Sequence, residues 1–172
     1  MVVENLLTFP KKNTTDSNKL PKLTPKLTPK LTIELVPSTA WGENLRSILT
    51  KEMWDHLRKR CYRKAQYQCE ICYGQGPDWP VECHEIWEYD DSKHIQTLKG
   101  LIALCPDCHQ VKHIGYAHVQ GKGDEARAHL QKVNGWSQSE ASLYIGQAFQ
   151  IWEDRSFYQW ELDLNWLGQF KL

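Results

Sequence analysis

Four of the six cysteines fall in two Cys-x-x-Cys pairs, Cys69-Glu-Ile-Cys72 and Cys105-Pro-Asp-Cys108, with 32 residues between them. Each pair sets two thiolates on one turn, and two such turns close a tetrahedron around a soft ion that has no redox chemistry of its own, which is zinc. The chain is therefore expected to fold so that the two turns meet. A four-sulfur site is saturated, so this ion is structural and any chemistry requires a second site. Redox use of Cys-x-x-Cys ranks lower, because it goes with one motif on a βαβ unit and no βαβ pattern is present. Cys61 sits on an apolar helical stripe and reads as a small buried hydrophobe.

At 172 residues the chain has room for one domain and a tail. With 41% hydrophobic and 24% charged residues it falls in the soluble range, and no apolar run nears the ~20 residues of a membrane span. No basic stretch leads into an apolar one at the start, so a cytoplasmic, reducing location is expected. Basic and acidic residues balance at 21 each, which gives no global pull toward a polyanion. Residues 36–66 carry seven basic groups against three acidic, and residues 67–100 two against seven, so any nucleic-acid footprint must be local.

Residues 1–40 are polar and read PKLT three times over at 21–32, as expected of a flexible Pro/Lys-rich tether. Order is expected from Trp41, with one domain over 41–172, a zinc-clamped core at 69–115 and a helical extension at 122–172. Thr50 caps a predicted helix to about Gln66, on which Met53, Trp54, Leu57, Cys61 and Ala65 form one face. Its other surface carries Arg58, Lys59, Arg60, Arg63 and Lys64, either a solvated face or a phosphate contact. Asp124 opens a further helix ending at Asn134-Gly135, and Ser137 with Glu140 forms a capping box for the next. Alternation over residues 158–164 predicts a half-buried strand. His56, His94, His118 and His129 read as surface or packing residues.

Between the cysteine pairs, residues 81–90 alternate as a strand, a polar turn follows, and the chain returns through residues 98–104. Pro106 at a first helical position and Gly115 past a plausible end predict a short helix over 106–114. On it His109 and His113 are four apart and share a face, the spacing at which two imidazoles grip one ion. The second cysteine turn pins this helix to the strand carrying Cys83 and His84, so several nitrogen and sulfur donors can converge there.

Taken together, these residues resemble the HNH endonucleases, whose ββα-metal motif is often clamped by two Cys-x-x-Cys turns. The likeness spans residues 69–113, about a quarter of the chain. It implies an α+β fold: a ββα-metal unit held by a four-cysteine zinc site, with flanking N- and C-terminal helices. It implies phosphodiester hydrolysis in DNA, RNA being a further candidate, with His84 as general base and His109 and His113 as ligands of a second divalent cation: Mg2+, Mn2+, Ni2+ or Zn2+. Nucleic acid would meet Arg58, Lys59, Arg63, Lys64 and Lys112. Two positions depart from the pattern: Cys83 stands where Asp or His binds the ion, and Gly100 where an asparagine orients the base. A thiolate at Cys83 would favour a soft ion over magnesium. The acidic Glu82, Glu85, Glu88, Asp90 and Asp91 would repel DNA and either add metal-ligating oxygen or face a protein partner. The alternative reading is a catalytically degenerate zinc module that binds nucleic acid or protein.

Overall fold

A computed structural model describes residues 28–170. Its centre is an antiparallel hairpin of β1 (Glu82–Asp90) and β2 (Ile95–Leu104), with His84 opposite Ile102 and Glu82 opposite Leu104. Asp90 closes the turn by accepting hydrogen bonds from Ser92 and Lys93, and His94 takes the left-handed φ of 54° needed to re-enter the sheet. A bulge between Ile86 and Trp87 shifts the register, so that Gly100 faces Ile86 and Leu98 faces Trp87. A short third strand, β3 (Glu161–Asp163), runs parallel to the start of β2, leaving β1 at the sheet edge.

Helices cover both faces of the hairpin. A single turn, α1 (Leu45–Ile48), leads into α2 (Lys51–Lys64), which begins where Thr50 Oγ1 accepts the Met53 amide. Trp54, Leu57 and Cys61 bury its apolar stripe against Leu98, Leu101, Cys83 and Ala103. Across the sheet lie α3 (Pro106–Lys112) and α4 (Ile114–Val119), then α5 (Gly123–Asn134) and α6 (Gln138–Arg155). Gly135 ends α5 at φ 66°, and Ser137 and Glu140 bond reciprocally at the start of α6, as their spacing predicts. No helix among the described residues is long and apolar enough to cross a membrane.

Three expectations are corrected. Gly115 does not stop the helix that begins at Pro106. The break falls at His113 (φ −104°, ψ 42°), and Gly115 lies inside α4, where an added Cβ would come within 3.3 Å of Leu35. The predicted strand at 158–164 shrinks to three residues, because the Trp160 indole turns back to the Arg155 carbonyl and Leu164 enters a 3-10 turn. Order does not begin at Trp41. Leu31 is fully buried among Val111, Ile114, Leu130 and Ala141, and Asn134 clamps it by accepting from the Lys30 and Leu31 amides and donating to the Leu31 carbonyl. The last PKLT unit is therefore part of the core, while most of the other two lies outside the described residues.

Candidate metal centres

The two cysteine turns meet as their spacing requires. The Sγ atoms of Cys69, Cys72, Cys105 and Cys108 lie within 4.8 Å of one another and form a group that could hold a metal ion such as zinc. The first turn closes through the Cys69 amide on the Gly74 carbonyl and the Tyr73 amide on the Cys69 carbonyl. Its return passes Gly76, where an added Cβ would meet the Trp79 carbonyl at 2.4 Å and the Pro106 ring at 2.6 Å, so only glycine fits between the turns. His129 Nε2 lies 3.2 Å from Cys108 Sγ. Hydrogen bonds from Cys105 and Cys108 hold the Cys69 thiol far down, and donation to Cys105 and Cys69 pushes the Cys108 thiol far up. Alone, the cluster favours ionisation at Cys69 and opposes it at Cys108. A dication would reverse that balance, which is the chemistry expected of a zinc-binding donor set.

A second group lies on the α3 side of β1. The rings of His84, His109 and His113 form a near-equilateral triangle with centroids 5.2, 5.0 and 4.9 Å apart, and one nitrogen from each falls within 4.8 Å of the others. His84 comes from β1, and His109 and His113 come from successive turns of α3 and its C-terminal cap. Two of the rings are gripped from behind by carboxylates: His84 Nε2 lies 2.7 Å from Glu34 Oε2, and His109 Nδ1 lies 2.5 Å from Glu82 Oε2. A carboxylate only accepts, so each of these ring nitrogens carries the proton of the bond, and in a neutral ring the opposite nitrogen keeps its lone pair. Trp79 Nε1 donates to the other oxygen of Glu82.

Electrostatics favour neutral rings at His84 and His113. Burial, reinforced by the neighbouring imidazoles, drives His113 down to about 3, and burial also lowers His84 against the pull of Glu34. Burial raises the Glu34 carboxyl, but hydrogen bonding from His84 and the charge of Lys112 more than offset this and hold it at about 2. A neutral His84 donating to an ionised Glu34, with Lys112 supplying the positive charge, satisfies both directions. The hydrogen bond from His109 likewise outweighs burial and lowers Glu82.

Not every predicted site residue joins this group. Cys83 does not, because alternation along β1 turns it to the opposite face, where its thiol pairs with that of Cys61. Gly100 stands opposite Ile86 rather than His84, and the orienting role expected of an asparagine there falls to Glu34. Lys112 cannot meet nucleic acid: it is 5% exposed, with Nζ bonded to Glu34 at 2.5 Å and Thr32 at 2.6 Å. Lys59, Arg63 and Lys64 are exposed and Arg58 is paired with Asp55, but all four sit on α2, across the sheet from the imidazoles. Glu34 was missed because it falls in the stretch read as tail. The alternation of Leu31, Ile33 and Leu35 with Thr32 and Glu34 was the signal available.

No protein-family description, curated protein or solved structure matches the chain.

Proposed function

We propose that the protein is a metal-dependent endonuclease of the HNH type, hydrolysing phosphodiester bonds in DNA with one divalent cation at His84, His109 and His113. The structural zinc on the four cysteines would clamp the hairpin to α3, in keeping with a ββα-metal unit. One observation carries the reading: three imidazoles from β1 and α3 converge with ring centroids within 5.2 Å of one another, at the helix that also carries Cys108. A divalent ion bound there would stabilise the negative charge that develops on phosphorus oxygens and acidify the attacking water. Glu34 and Glu82 fix the orientation of the His84 and His109 rings, as carboxylates do behind ligating histidines. His84 then acts as third ligand rather than general base, since Glu34 occupies Nε2 and leaves Nδ1 for the ion. A nitrogen-rich set favours Zn2+, Ni2+ or Mn2+ over Mg2+.

The second reading, a zinc module without catalysis, is favoured by the turned-away Cys83 and by Gly100. Incubation with supercoiled plasmid across Mg2+, Mn2+, Ni2+ and Zn2+, together with metal counting, separates the two. The nuclease nicks plasmid and binds two ions, one of them exchangeable, whereas His113→Ala binds one and loses at least a hundredfold in rate. Undiminished cleavage by His113→Ala would remove the imidazole group from the mechanism.

A further inference from the structure

A cavity of about 720 Å³ runs along the unpaired edge of β1, between that strand and the wall made by residues 33–36 and α6, and the three imidazoles line part of it. Its volume lies within the roughly 300–1,000 Å³ typical of sites for small organic groups and far exceeds the needs of an ion with its water. The rest of its lining is rich in indole. Trp87 and Trp152 have their N–H groups committed to Glu85 and the Val36 carbonyl, so the rings are fixed and offer only their apolar surfaces. Trp41 stands at the lip, 72% exposed. On the wall, the buried Oε1 of Gln147 has no hydrogen bond among the described residues, and Arg46 lies over the Trp54 ring within electrostatic reach of Glu85.

We infer that this cavity receives one nucleotide of a single strand, its base stacking on indole and its phosphate reaching the imidazoles. The inference rests on the nuclease reading and narrows its substrate class. Fixed aromatic faces suit any base, because every base has a π-surface. The unpaired carbonyl of Gln147 suits an amino or imino N–H on a base edge, and Arg46 suits the next phosphate. A base within a duplex is already stacked on both sides and would have to be drawn out first. The exposed basic face of α2, across the sheet, is not positioned to hold a duplex over the same imidazoles.

The test is equilibrium binding of labelled ten-nucleotide DNA and RNA single strands, and of the matching duplex, to the zinc-loaded full chain with no further divalent ion added. Expected are quenching of tryptophan fluorescence by single strands, at least tenfold weaker binding of duplex, and a loss of about tenfold in single-strand affinity in Trp41→Ala. The DNA and RNA arms show which sugar is preferred. Equal affinity for duplex, or an unaltered affinity in Trp41→Ala, would overturn the inference. Because no turnover is required, a protein that binds single strands but never cuts refutes the nuclease reading alone. One that nicks plasmid without preferring single strands refutes the cavity assignment alone.

Discussion

Glu34 links three otherwise separate features: the N-terminal segment, the imidazole group and the buried Lys112. One oxygen meets His84 and the other meets Lys112, whose side chain is 6% exposed. Deleting one partner of a buried pair leaves the other charge uncompensated, so Glu34→Ala should cost about 2–4 kcal/mol in urea unfolding at pH 7. The pH dependence follows from the direction of its shift. The folded carboxyl is held at about 2, below its ordinary 4.5, so the stabilisation is fully present above about pH 4.5 and is lost as pH falls through 2. The stability difference between wild type and Glu34→Gln should therefore shrink steadily below pH 4.5, and a difference that stays constant from pH 6 to pH 2.5 would contradict this assignment. Because acid would also release a thiolate-bound metal from both proteins, the two are compared only at pH values where each still unfolds cooperatively.

At the scale of elements, local signals located most helix boundaries because they act over three or four residues. Thr50, Ser137 with Glu140, Pro106 and Gly135 all cap or stop as their chemistry dictates. Gly115 misled because a glycine also serves close packing, and only the approach of Leu35 from the N-terminal segment distinguishes the two uses. Asn134 has a double role: it is the last residue of α5, and its side-chain amide holds Lys30 and Leu31 through three hydrogen bonds, two of them to Leu31. Asn134→Ala should therefore destabilise by about 1–3 kcal/mol and speed amide exchange at Leu31 and Glu34 while leaving α2 protected. Uniform exchange across the chain would show instead that the segment is not separately anchored.

For the molecule as a whole, the cysteine cluster belongs to the main core rather than standing beside it. Cys69, Cys105 and Cys108 share one buried group with Leu31, Leu104, Val111, Ile114 and Leu130. A metal bound there would supply folding free energy, so chelation, or Cys108→Ser, should abolish the cooperative melt followed by circular dichroism. An unshifted melt in excess chelator would refute a structural ion. What the amino-acid order determined alone was whatever depends on near neighbours: the meeting of two cysteine turns, the hairpin, the helix starts, and the shared face of His109 and His113. What only the tertiary structure decided was which face of β1 each side chain takes relative to α2 and α3, the burial of Lys112, and the seating of Glu34 against a histidine 50 residues away. Those outcomes depend on which distant segment excludes water from a charge, and no local pattern encodes that.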